Sequence, residues 1–151
     1  MMVFEKSIGA IVFRGEKGEI FFLLLLYPSK NKDYYAFVKG HQEIGEADEE
    51  TLKRELKEET GMKEIKVIPG FKEKEEYIFR DVYKEPENPP LVKKEVIYYL
   101  VETFSEKVKL SDEHMSYQWL KLEEAKKLLR FKQAKEIIGK AFLFLNKCDR
   151  I

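Results

Sequence analysis

Gly40-His-Gln-Glu-Ile-Gly-Glu46-Ala-Asp-Glu-Glu-Thr-Leu-Lys-Arg54-Glu55-Leu56-Lys-Glu58-Glu59-Thr-Gly61-Met62 is the stretch whose reading organises the rest of the chain. From Ala47 to Thr60 it predicts a helix, with Asp48 as N-cap, acids in the first turn and Gly61 as the stop. At about 100° per residue, Glu55, Glu58 and Glu59 fall on one arc, spaced i, i+3 and i+4. Leu52 and Leu56 form the adjoining apolar stripe, so the carboxylates flank the buried side. Three carboxylates this close repel one another and need compensation. Arg54 satisfies one of them, and a hard divalent cation with its preference for oxygen ligands would satisfy the rest. A solvated Glu/Lys helix face would look the same, so the helix alone leaves both readings open.

Working outward, the 151 residues give enough chain for one domain, 1–151, and too little for two. Hydrophobic residues are 44% and aromatics 13%, ample for a core. Lys and Arg number 28 and so do Asp and Glu, and that balance argues against a protein that wraps duplex DNA. The charge is unevenly placed, however. From His41 to Thr60 there are eight acids against three bases, and from Lys121 to Ile151 nine bases against four acids. An acidic patch invites divalent cations, and a basic region nearby suits polyphosphate.

The lone cysteine, Cys148, excludes a disulfide framework and is expected in a frayed tail. Met1 to Ile11 is a poor secretory signal, and the longest apolar run, Ile20 to Tyr27, is eight residues. A membrane span needs about 20. A soluble, cytoplasmic, monomeric protein without a membrane partner is the expectation.

The remaining pattern mixes strands and helices. Ser7 to Phe13 and Ile20 to Tyr27 predict a hairpin across Gly15-Glu-Lys-Gly18, the second strand so apolar that both its faces must be covered. Tyr34 to Val38 predicts a short strand and Gly40 to Glu46 a loop. Ile65 to Ile68 and Glu75 to Phe79 predict two strands about a Pro69-Gly70 turn. Three prolines in Glu85 to Pro90 demand an exposed loop. Val96 to Thr103 and Tyr117 to Leu120 read as strands, Leu122 to Leu129 and Gln133 to Leu145 as helices. The class is α/β (α+β), with a mixed central sheet.

At every fixed position from Gly40 to Met62 the quoted stretch resembles the Nudix box: glycine, five residues, Glu46, seven residues, then Arg-Glu-Leu-x-Glu-Glu-x-Gly. The resemblance implies an α/β/α sandwich that hydrolyses nucleoside diphosphates linked to another moiety, with Mg²⁺ or Mn²⁺. Carried over residue by residue, it makes Glu58, Glu59 and the Gly40 carbonyl metal ligands. Glu55 becomes a base or metal-bridging carboxylate, Arg54 the group that orients it, and Glu46 the tie between loop and helix.

Outside the box, Lys39-Gly40-His41, Gly70-Phe71 with Tyr77, Lys94 to Leu100, Leu110 to His114 with Tyr117 and Trp119, and Leu122 to Ala125 leading to Phe131 resemble the asymmetric diadenosine tetraphosphate hydrolases. That similarity implies polyphosphate binding by Lys39 and Lys94, and an adenine sandwiched by Tyr77 and Phe131. It also implies a further metal-side carboxylate or base at Glu113, with His41 and His114 facing the phosphates. The implied reaction is metal-dependent cleavage of dinucleoside polyphosphates, preferentially of diadenosine tetraphosphate to ATP and AMP. Alternatives are removal of pyrophosphate from RNA 5′ ends, hydrolysis of ADP-ribose, and a non-catalytic nucleotide-binding module. Two departures stand out: Ala36-Phe37-Val38 replace the usual prolines, and Tyr83 to Val92 is longer than usual.

Overall fold

Strand β1 (Met2–Glu16) runs through the middle of a seven-stranded mixed sheet in the computed structural model, which describes residues 2–147. Cys148 lies outside them. β2 (Glu19–Tyr27) returns antiparallel to β1 through a turn in which Lys17 (φ 52°) and Gly18 (φ 79°) both adopt the left-handed conformation that such tight hairpins require. β3 (Tyr34–Ala36) extends the β2 edge and β4 (Val38–His41) pairs with the first half of β1. Helix α1 (Asp48–Thr60) follows, then β5 (Ile65–Arg80) and β6 (Leu91–Thr103), which pair antiparallel. β6 lies parallel to β1 over its whole paired length, from Met2↔Leu91 to Phe13↔Glu102. β7 (Ser116–Leu120) pairs with β2, and α2 (Leu122–Leu128) and α3 (Lys132–Lys147) complete the chain. No helix among the described residues is long and apolar enough to cross a membrane.

Strand alternation sends side chains to two cores, one on each face of the sheet. Ile8, Ala10, Val12, Leu23, Leu25, Ile97 and Val101 meet Leu52 and Leu56 of α1. Ile11, Phe13, Phe22, Leu24, Tyr98 and Leu100 meet Ala134, Ile137, Ile138 and Ala141 of α3. The result is helix, sheet, helix. The continuously apolar β2 is covered on both faces, as its composition demands.

Several boundaries differ from the sequence expectation, each for a tertiary reason. Tyr34 to Val38 is not one strand, because the chain crosses at Phe37 from pairing with β2 to pairing with β1. There the Phe37 carbonyl accepts the Tyr27 hydroxyl at 2.6 Å instead of a ladder bond. Gly40 and His41 belong to β4 rather than to a loop. The Pro69-Gly70 pair makes no turn between two strands; it is an irregularity inside β5, where the register shifts between Val67 and Lys72 and Gly70 takes φ 94°. The N-cap of α1 is Ala47, whose N–H donates to Glu50 at 3.2 Å. Asp48 is drawn off by Gln42 (2.8 Å), Lys6 (3.3 Å) and the Tyr99 hydroxyl.

The sheet leaves no room for a side chain at Gly9. A Cβ there would lie 2.3 Å from Cε1 of the buried Tyr98 and 3.1 Å from the Val38 carbonyl oxygen. Gly9→Ala is therefore expected to destabilise the protein by about 1–3 kcal/mol through overpacking. Thermal unfolding of the variant against wild type checks this, and an unchanged melting temperature would show that Tyr98 has freedom the packing denies it.

Candidate active site

The C-terminal end of β4, the inner face of α1 and the 111–113 loop enclose a cleft of about 560 Å³. Its geometry begins with Gly40. A Cβ at that position would sit 1.9 Å from the carboxyl carbon of Glu55, so only glycine lets this carboxylate rest against the strand. Glu55 is 8% and Glu59 5% exposed, both buried by the packing of α1, whereas the Glu58 side chain is mostly in solvent. The helix thus divides its three acids between the protein and the cleft mouth.

Arg54 fixes their arrangement. Its Nε and Nη2 donate to the two oxygens of Glu46 at 2.8 and 2.9 Å, and Nη1 donates to Glu55 at 2.8 Å. Nη2 also reaches the His41 carbonyl at 2.9 Å, and Nη1 approaches Glu58 at 3.4 Å. Glu46 in turn accepts the Thr51 hydroxyl and the Glu43 N–H, both at 2.9 Å. Hydrogen bonding by Arg54 holds the Glu46 carboxyl down at about 2, and Arg54 itself is raised.

The other titratable groups are strained by burial. Desolvation, with repulsion from Glu55 and Glu113, pushes Glu59 up to about 8, and Glu55 is raised for the same first reason. On the opposite wall Lys39 and Lys94 are lowered, chiefly by burial, and Lys39 also by the nearby charge of Lys94. The neighbouring Lys93 faces away and pairs with Glu76 at 3.1 Å. The cleft therefore has one wall of desolvated carboxylates, of which Glu55 is paired with Arg54, and one of desolvated ammonium groups.

Among the described residues no three His, Cys, Asp or Glu side chains already converge as a metal-ligand set. Arg54 holds Glu55 through its Nη1 at 2.8 Å. The donor chemistry nevertheless fits a hard cation: Glu59 Oε2 is buried with no hydrogen-bond partner, and Glu55, Glu58 and Glu113 line the same cleft.

A second cavity of about 420 Å³ opens on the far side of Lys39, which lines both. Tyr77 and Phe131, named from sequence, line it together with Tyr34, Glu75, Arg130 and Gln133. Phe131 meets Tyr34 edge-on at 5.8 Å, and the Arg130 guanidinium lies over both rings at 5.8 and 5.4 Å. Of the residues singled out in the sequence, Lys39, Gly40, His41, Arg54, Glu55, Glu58, Glu59, Lys94 and Glu113 all line the first cleft, and Tyr77 and Phe131 line the second.

His114 does not line either. It is buried against Tyr27 (ring centroids 4.5 Å), with Nδ1 3.2 Å from the Ser111 hydroxyl and Nε2 3.9 Å from Glu59 Oε1. It stands behind the Glu59 carboxylate. Sequence reasoning missed Tyr34, Glu75 and Arg130; the signals were adjacency to Phe131 for Arg130 and strand alternation with Tyr77 for Glu75.

The NUDIX domain family matches residues 3–141. The asymmetrical bis(5′-nucleosyl)-tetraphosphatase of Mus musculus is 35% identical over 150 residues, covering 93% of this chain and 95% of its own. Its Caenorhabditis elegans counterpart is 30% identical over 142 residues, covering 93% and 96%. The crystal structure of a C. elegans Ap4A hydrolase binary complex superposes with a TM-score of 0.79 at 27% identity, covering 95% of this chain and 98% of that one. The chain belongs to the Nudix family, and it is an enzyme of the pyrophosphohydrolase kind.

The raised Glu59 sets a pH dependence of stability for protein kept free of divalent cations. An unfolded glutamate releases its proton near the ordinary value of 4.5, whereas the folded one holds it to about 8. Between those values the folded state binds more protons, so its stability is greatest at the acid end and is lost as pH rises through about 8. Melting temperatures of chelator-treated protein should fall across that window, and Glu59→Gln should flatten most of the slope. An equally steep slope in the variant would assign the dependence to another group.

Proposed function

We propose that this enzyme hydrolyses dinucleoside polyphosphates asymmetrically, with diadenosine tetraphosphate cut to ATP and AMP, and with Mg²⁺ as its metal. The observation that carries the reading is that a cleft lined by lysines and carboxylates and a cavity lined by aromatic side chains share Lys39 as a common wall. A nucleobase stacked in the second would send its phosphates past Lys39 into the first. Stacking on aromatic side chains contributes roughly 1–3 kcal/mol per base. The tetraphosphatase names of the mouse and worm relatives support the same substrate class.

Glu55, Glu58, Glu59, Glu113 and the Gly40 carbonyl would hold the metal, which when bound neutralises phosphoryl oxygens and makes water more acidic. Lys39 and Lys94, with His41 beside them, bind the polyphosphate; their desolvated ammonium groups gain most when an anion arrives. Arg54 keeps Glu55 turned towards the loop, with Glu46 holding the guanidinium. Glu55 or Glu113 takes the proton from the attacking water. The water oxygen bonds to the phosphorus that becomes that of AMP, the anhydride bond to it breaks, and its bridging oxygen leaves with ATP. Tyr77 and Phe131 hold the ATP half in place, so the cut falls at the far end.

Hydrolysis in ¹⁸O-labelled water tests this. With diadenosine tetraphosphate and Mg²⁺, the expected products are ATP and AMP, with the label on AMP. Glu55→Gln and Glu58→Gln should each lower kcat by at least about a hundredfold while leaving the melting curve cooperative. Two molecules of ADP as product, or preferential attack on ADP-ribose or triphosphorylated RNA 5′ ends, would replace this reading with another.

A further inference from the structure

A carboxylate faces the aromatic cavity and has no part in the chemistry above. Glu75 is 5% exposed and lines the cavity beside Tyr77, two residues on along the same face of β5. Among the described residues no other acid lines that cavity. Two of its polar neighbours bond elsewhere. Gln133 accepts from the Glu76 N–H at 3.2 Å and donates to the Glu76 carbonyl at 3.0 Å, and Arg130 donates to the Lys32 carbonyl at 3.2 Å. Burial raises the Glu75 carboxyl, and Lys39 and Lys94 act on it electrostatically in the opposite sense.

Burying a carboxyl in an apolar pocket is costly unless something repays it by hydrogen bonding. Aromatic rings hold a flat ligand by its faces and leave its edge to be read by in-plane polar groups. A carboxylate offers only acceptors, and so matches an edge that presents an N–H donor. We propose that Glu75 is the base-reading residue of this enzyme, accepting the exocyclic amino group of the nucleobase stacked among Tyr34, Tyr77 and Phe131. This rests on the dinucleoside polyphosphate reading above. Adenine carries that amino group. Hypoxanthine carries a carbonyl oxygen in its place, which two carboxylate oxygens would repel.

The test compares kcat/KM for diadenosine and diinosine tetraphosphate in wild type, Glu75→Met and Glu75→Gln, with melting curves for each protein. Wild type is expected to favour the adenosine compound by about tenfold or more, as loss of a buried hydrogen bond to a charged acceptor implies. Glu75→Met, which follows the same path without an acceptor, should bring the two substrates to within about threefold. Glu75→Gln, whose amide can accept from adenine or donate to hypoxanthine, should lose most of the preference while keeping the adenosine rate closer to wild type than Met does. Equal use of both compounds by wild type overturns the proposal, and should either variant fail to fold that comparison still decides. A Met variant with the wild-type ratio also overturns it, even if both rates fall together, because Glu75 would then be serving the two lysines. A Gln variant as selective as wild type overturns it as well, because the selectivity would then not depend on a group that only accepts. If wild type splits neither compound into a nucleoside tri- and monophosphate, it is the substrate class that fails, and the base-reading role falls with it.

Discussion

The guanidinium of Arg54 is where the candidate site is held together. Five donors in one plane reach Glu46 with two bonds, Glu55 and the His41 carbonyl with one each and Glu58 with a longer one, so a loop, a helix and a strand end are fixed by a single side chain. A lysine offers a point charge without that fork and would satisfy one partner at a time. The bonds also govern which way Glu55 turns. Because Gly40 yields the space beneath it, the carboxylate is trapped between backbone and guanidinium and has little freedom left to lose on binding.

Around that clamp the protein keeps unlike charges apart at a short distance. Glu55 and Glu59 are desolvated on the helix, Lys39 and Lys94 on the strands, and neither pair neutralises the other. Such an arrangement lowers the stability of the empty protein and favours whatever brings a cation to one wall and an anion to the other. A metal-complexed polyphosphate does both at once. His114 belongs to the same economy: its Nε2 is buried without a hydrogen-bond partner, facing Glu59, whose Oε2 is in the same state.

Much of this was legible in the chain because it is written in local spacing. The helix carrying Arg54, Glu55, Glu58 and Glu59 follows from caps and periodicity, and its bounds differ from expectation only at the first residue. Both cores follow from the alternation in β1, β2 and β6. What was not legible depends on partners far away in sequence. Asp48 is chemically a good cap, but Tyr99 and Lys6 recruit it from other strands. Tyr34 to Val38 looks like one strand until Phe37 is seen to cross between two neighbours. Pro69-Gly70 has the composition of a turn, yet the long pairing with β6 carries β5 through it. His114 reads as a loop histidine, and only the packing of Tyr27 and Glu59 shows that it is enclosed. Glu75 was passed over because an acid in a Lys/Glu-rich strand signals nothing until its face of the sheet is known.

The parallel pairing of Met2–Phe13 with Leu91–Glu102 has a consequence for the order of events at the ribosome. A strand that needs a partner some ninety positions downstream must wait, at about 5–20 residues per second, for several seconds of elongation before it can be seated. Over that interval β1 has only β2 and β4 for company, and its remaining edge is an open template for stray association. The segment that lines the cleft, β4 and α1, is synthesised well before the scaffold that will immobilise it. Its functional geometry is thus among the last properties the nascent polypeptide acquires.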